Sequence, residues 1–220
     1  MTTAFIADVR RARNTDRGLT AVWWLFVHSY GLQALFAYRL GRWLLRPGGR
    51  CYLWPLLPVL WPIYYLVSRC VWVAYDIRLE LSADIGPGFY IGHFGAIRVR
   101  RCRIGANCSI AHLTTIGAAA DGPGPVIGDR VWIGAHVQIV GTSRIGSDAT
   151  VGAATVIQSD IPDGVLCLGN PARLVKRNYD NRPMLRLREE ADAPPRSARS
   201  SAAGARTCPT NEVRRQGEQH

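Results

Sequence analysis

The chain has 220 residues, 48% of them hydrophobic, with 27 basic against 16 acidic side chains and a net charge of +11. That length suits one packed domain with appendages and excludes several large ones. The charge would suit nucleic acid, an anionic bilayer or an acidic small molecule, but the arginines are scattered and form no basic helix stripe or aromatic platform, so no nucleic-acid partner is expected.

The first residues, MTTAFIADVRRARNTDR, are polar and show no apolar core of a cleaved secretory signal. Cys51, Cys70, Cys102, Cys108, Cys167 and Cys208 make no C-x-x-C pair and no dense framework. They read as reduced, mostly buried thiols, which points to the cytoplasm.

Gly18 to Tyr38 is uncharged and reads as helix, and Cys51 to Ser68 is a second uncharged run, with Arg39, Arg42, Arg46 and Arg50 between them. Both approach the length that spans a bilayer. Pro55, Pro58 and Pro62 predict against a straight spanning helix in the second run, because each proline removes a helical hydrogen bond. Two readings stay open for residues 1–78. One is a helical region that buries Trp23, Trp24, Phe26, Leu35 and Phe36 against itself or a partner subunit. The other is shallow attachment to the inner face of the membrane, with arginines near the headgroups.

From residue 79 an aliphatic side chain, often followed by glycine, returns at Leu79, Ile85, Ile91, Ile97, Ile104, Ile110, Ile116, Ile127, Ile133, Ile139, Ile145, Val151 and Ile157. Ten of the twelve intervals are six residues. The seven between Ile97 and Ile104 predicts a one-residue bulge, and the eleven between Ile116 and Ile127 a protruding loop. An amphipathic helix would repeat near 3.6, so the period predicts a parallel β-helix of about four coils over residues 79–177. One aliphatic side chain per short strand fills the prism, and small residues make the corners. Residues 178–220 are rich in Arg, Ala, Ser, Pro and Glu, and read as a disordered tail.

Two glycines flank His93 in Gly92-His93-Phe94-Gly95 and leave room for a substrate. A neutral imidazole there can accept a proton from a hydroxyl; the plainer reading is a surface histidine. His112 follows Ile110 as His93 follows Ile91, so the two are expected on neighbouring coils, whereas His136 is out of phase by one residue and expected to point elsewhere. A zinc site would need all three rings to converge, so no metal is expected. The loop at 118–126 holds a single ionisable side chain, Asp121.

IGPGFYIGHFGAI (85–97), TIG (115–117), IGDRVWIGAHVQI (127–139), VGAATVIQSDIP (151–162) and GNPARLVK (169–176) resemble the serine acetyltransferases and related polysaccharide O-acetyltransferases. The leader GLQALFAYRLGRWL (31–44) looks like their N-terminal region. The resemblance implies a left-handed β-helix, a homotrimer or dimer of trimers, and acetyl-CoA as acyl donor in a groove between subunits. It implies His93 as general base, and the likeness to the related galactoside acetyltransferases implies Ala135 and Ala153 with backbone against the pantetheine arm, Gln158 as a polar contact, and Arg173 and Lys176 beside the nucleotide phosphates. The chain departs from the serine enzymes at Gly92 and Arg78, where they carry aspartates, and in a loop without histidine. Asp76 or Glu80 would then orient His93, and the acceptor shifts from L-serine towards a sugar hydroxyl of a polysaccharide precursor. The expected function is acetyl transfer to an alcohol. The alternatives are a non-catalytic trimeric scaffold at the membrane and a γ-type carbonic anhydrase-like metal enzyme.

Overall fold

The computed structural model describes residues 2–12, 28–45, 57–92, 95–118 and 122–185. Trp23, Trp24, Phe26, His93, Phe94, Asp121, Cys51 and Cys208 lie outside them. The described chain is mainly β, with helices α1 (Thr2–Ala12), α2 (Tyr30–Leu45) and α3 (Leu57–Tyr75) before it.

Three parallel sheets form the sides of a prism. The first stacks β1 (Ile77–Leu79), β4 (Ile97–Val99), β7 (Thr115–Gly117), β10 (Gln138–Val140) and β13 (Val156–Ile157). The second stacks β2 (Asp84–Ile85), β5 (Arg103–Ile104), β8 (Val126–Ile127) and β11 (Arg144–Ile145). The third stacks β3 (Tyr90–Ile91), β6 (Ser109–Ile110), β9 (Trp132–Ile133), β12 (Thr150–Val151) and β14 (Val165–Leu168), and ends in an antiparallel strand, β15 (Arg173–Arg177). Strands visited in the order first, second, third sheet make four full coils, and β13, Ile161 and β14 make part of a fifth.

The expected repeat positions are the core: Ile97, Ile116, Ile133, Ile139, Val151 and Ile157 are all 0% exposed. The expected bulge moves. Leu79 pairs with Val99 and Val99 with Ile116, so Val99, not Ile97, occupies the repeat position of its coil. Val99 comes eight residues after Ile91 and five before Ile104. The extra chain therefore lies before the strand, in the segment that carries His93. Ile97 is the misleading signal because it is inward too, two residues from Val99 and paired with Ile77.

The helices close the first coil. Leu35, Ala34 and Tyr38 of α2 join the core with Ile77, Ala83, Ile85 and Ile91, and Gly31 is so close to β3 that a Cβ would stand 2.7 Å from Ile91 Cβ. Asp8 and Arg39 form a buried ion pair at 3.1 Å. Asp8 also accepts the Phe89 N–H at 2.9 Å, and Arg39 donates to the carbonyls of Ile85 and Gly86, each at 2.6 Å. Burial pushes the Asp8 carboxyl above its ordinary value, against the pull of Arg39 and the backbone donors.

Pro58 and Pro62 lie within α3: Pro58 falls in the first turn, where no N–H is needed, and both prolines are exposed, so the freed carbonyl meets water. In line with the expectation from the prolines, no helix among the described residues is long and apolar enough to cross a membrane. The packed chain continues past 178. Asn181 donates to the carbonyls of Arg130 and Ala149, and the short helix α4 (Arg182–Leu185) buries Leu185 completely. Residues 186–220 of the expected tail lie outside the described residues.

Candidate active site

One corner of the prism, between the third sheet and the first, holds the expected site residues Ala135 and Ala153, and leads into the strand that carries Arg173 and Lys176. On successive coils it is built from the segment around 92–96, then Ala111 to Thr114, Gly134 to Val137, Gly152 to Thr155 and Gly169 to Ala172. Backbone bonds stack these corners: Gly92 N–H donates to Ile110, Ala111 to Ile133, Gly134 to Val151, Gly152 to Cys167 and Val156 to Gly169. Leu113, His136 and Ala154 repeat one left-handed conformation at φ 58, 59 and 56°, each the third of the four residues of its turn. At about 4.8 Å per coil, four steps carry the corner roughly 19 Å along the prism.

His93 itself lies outside the described residues, but the flanks of its segment are tied down. Gly95 donates to the Tyr75 carbonyl at 3.1 Å and Ile97 to the Asp76 carbonyl at 3.1 Å, while Leu113 of the next coil donates to Gly95 at 2.9 Å. Asp76 sits just past the end of α3 at φ 50°, where its N–H closes onto Trp72, and its carboxylate makes no ion pair or hydrogen bond to a described residue. Glu80 is engaged elsewhere, accepting from Arg100 at 3.2 Å and from Ser82 at 3.1 Å. The end of α3 as a wall of this segment was not legible from the repeat, because the repeat contains no helix. Arg78, in place of a family carboxylate, stacks its guanidinium 3.7 Å from the centre of the Trp72 ring.

The next corner carries His112, and the one after it His136. Their rings meet edge to face with centroids 6.2 Å apart, so His136 turns towards His112, contrary to the sequence expectation. No group of three His, Cys, Asp or Glu side chains able to hold a metal occurs among the described residues.

Farther along, Ala135 and Ala153 occupy successive turns, with Ala154 N–H donating to the Ala135 carbonyl at 2.8 Å. These small side chains leave backbone within reach of a ligand; a Cβ on Gly134 would come within 2.8 Å of Ala153 N. The corner ends at the turn Gly169–Ala172, which contains a cis Asn170–Pro171 bond and leads into β15. Arg173 pairs with Leu168 and Lys176 with Leu166, two positions apart on β14, so a register shift brings both cations to one face. Neither forms an ion pair with a described carboxylate. Gln158, just past β13, is exposed.

The described ends of the loop at 118–126 lie against the second coil. Ala118 donates to the Arg101 carbonyl at 3.3 Å, Arg103 donates to the Pro125 carbonyl at 3.0 Å, and Gly124 fits so tightly that a Cβ would meet Arg101 O at 1.8 Å. The buried thiols take no part in this corner. Burial pushes Cys102 and Cys108 up to about 12 and Cys167 up to about 11, which keeps them protonated.

A prism of hexapeptide coils with a cation-terminated corner defines the hexapeptide-repeat transferase class, and residues 124–159 match the bacterial transferase hexapeptide (six repeats) family. The serine acetyltransferase of Mycobacterium tuberculosis is 29% identical over 186 residues, covering 80% of this chain and 73% of that protein. Soybean serine acetyltransferase, solved as the apoenzyme, is 30% identical with TM-score 0.61, covering 79% of this chain and 68% of that one. A serine acetyltransferase in complex with CoA is 26% identical (TM-score 0.60, 78% and 68% covered), and the Neisseria gonorrhoeae enzyme in complex with serine is 27% identical (TM-score 0.61, 78% and 68% covered). The chain belongs to the serine acetyltransferase family. It spans 63% of the length of the Escherichia coli relative.

Proposed function

We propose that this chain transfers an acetyl group from acetyl-CoA to an alcohol hydroxyl. The observation that carries the reading is the single corner that runs from the Asp76–Gly95 wall, past Ala135 and Ala153, to the paired cations Arg173 and Lys176. Relatives solved with CoA and with serine support it. Arg173 and Lys176 hold the nucleotide phosphates, where unpaired cations suit phosphate oxygens. The exposed Gln158 adds a polar contact, and the backbone at Ala135 and Ala153 meets the pantetheine arm.

In the reaction the acceptor oxygen attacks the thioester carbon as His93 takes the hydroxyl proton. The carbon–sulfur bond then breaks, and the imidazolium returns its proton to the leaving thiolate. No acyl-enzyme forms, which agrees with thiols held protonated in the core. Asp76, with its carboxylate uncommitted among the described residues, orients the imidazole, whereas Glu80 is committed to Arg100. The working unit is a homotrimer or a dimer of trimers in the cytoplasm, with the corner of one subunit facing its neighbour.

The acceptor is a sugar hydroxyl rather than L-serine. Arg78 is held on Trp72 where the serine enzymes carry a carboxylate, and residues 118–126 offer no histidine for a serine carboxylate.

The test is release of CoA thiol with L-serine and with a panel of free and nucleotide-linked sugars. His93→Ala is expected to lower kcat by at least 100-fold with CoA affinity kept. Asp76→Asn should lower kcat less and move the acid limb of its pH profile. An unchanged rate in His93→Ala removes the base, and rapid O-acetylserine formation removes the sugar assignment. No saturable CoA binding by calorimetry would leave a scaffold.

A further inference from the structure

Helix α3 is apolar on both of its sides. Its inner side carries Tyr64 against Gly41 of α2 and Val71 in the core. Its outer side carries Val59, Ile63, Leu66, Cys70 and Val73, spaced at i, i+4, i+7, i+11 and i+14, which makes one continuous stripe on a helix. Leu66 is 64% exposed and Val73 76%. A surface helix ordinarily turns charged residues outward, so such a stripe marks a surface that meets something apolar.

The row beside the stripe is of a different kind. Trp61, Tyr65, Arg69 and Trp72 follow one another at i, i+4, i+8 and i+11. Arg69 lies 4.3 Å and Arg78 3.7 Å from the centre of the Trp72 ring, and Arg98 stands in register beside Arg78. None of these three arginines has an ion pair with a described carboxylate. Tryptophan, tyrosine and arginine in one row, next to an apolar stripe, match the order of environments from headgroups to acyl chains.

We propose that the outer side of α3 seats this protein on an anionic bilayer. The stripe from Val59 to Val73 enters the headgroup–acyl boundary, and Arg69, Arg78 and Arg98 meet lipid phosphates. The helix lies in the plane of the membrane: no helix among the described residues is long and apolar enough to cross one. An antiparallel two-fold pairing through the stripe is disfavoured, because it would set two rows of arginines that lack a described carboxylate partner side by side. The net charge of +11 draws the whole chain to the same surface.

Flotation of the full chain with vesicles tests the proposal, using phosphatidylglycerol mixed with phosphatidylethanolamine against pure phosphatidylcholine. Binding is expected on the anionic vesicles and to be at least tenfold weaker on phosphatidylcholine. Leu66→Glu with Val73→Glu should remove it, while thermal melting and CoA binding by calorimetry stay as in the parent, since both side chains are exposed. Arg69→Gln and Arg78→Gln should each weaken binding by about fivefold and flatten its salt dependence. The proposal is overturned if the parent chain does not float with anionic vesicles or binds both kinds equally. It is also overturned if the stripe variant instead dissociates a larger assembly in sedimentation, since a second copy would then own the face. None of these readouts depends on the acceptor or on acetyl transfer.

Discussion

Removing the Asp8 carboxylate should loosen the closure of the first coil. In Asp8→Ala, Arg39 stays in place with its guanidinium buried and without a counter-ion, and the Phe89 N–H loses its acceptor. Breaking a buried pair from one side costs about 3–5 kcal/mol, of which an unsatisfied buried N–H accounts for about 1–3 kcal/mol. With a urea slope of about 2 kcal/mol per molar, the midpoint of unfolding should fall by about 1.5–2.5 M. An asparagine at position 8 would still leave Arg39 without its counter-ion, but its side-chain oxygen could go on accepting the Phe89 N–H. Asp8→Asn, which keeps an acceptor for Phe89, should therefore cost clearly less than Asp8→Ala. Urea unfolding followed by circular dichroism reads both variants, and hydrogen exchange in α1 localises the loss. A cost below about 1 kcal/mol for alanine, or an asparagine variant as damaged as the alanine one, would refute this account.

Gly31→Ala offers a test of sign: helix propensity alone favours alanine by up to about 1 kcal/mol, but the new methyl would stand 2.7 Å from Ile91 Cβ and 2.8 Å from its carbonyl, so a net loss of about 1–3 kcal/mol in thermal or urea unfolding is expected. Thiol labelling at pH 8 with peptide mapping should modify exposed Cys70 readily, and Cys102, Cys108 and Cys167 only after unfolding. The folded values of Cys102 and Cys108, about 12, lie above the ordinary 9.0, so the stability these thiols contribute is complete below pH 9.0 and is lost as pH rises towards 12.

The six-residue period alone determined the β-helix and one inward aliphatic side chain per strand, because a coil that returns to the same direction every three strands demands an aliphatic residue at that position. The rest of the core, such as Phe89, Val131, Cys167 and the α2 residues Leu35 and Tyr38, came from the packing. Ala135 and Ala153 entered through the family resemblance, and the structure puts them on turns of neighbouring coils joined by the Ala154 N–H to the Ala135 carbonyl. What the period could not supply was decided by contacts between segments far apart in sequence. Ile97 and Val99 both face inward, so only pairing with Leu79 and Ile116 reveals which carries the register and where the extra residues fall. His136 meets His112 on the neighbouring coil although the two stand at different phases of the repeat. Arg173 and Lys176 share a face through a register shift in β15. Asp76 lies beside the segment of His93 because α3 ends against it, and α3 itself runs through Pro62 because its proline side is turned to water. Local periodicity is written into side-chain size and repeats along the chain; which groups converge depends on how helices close the prism's end, and that is settled only when the whole chain packs.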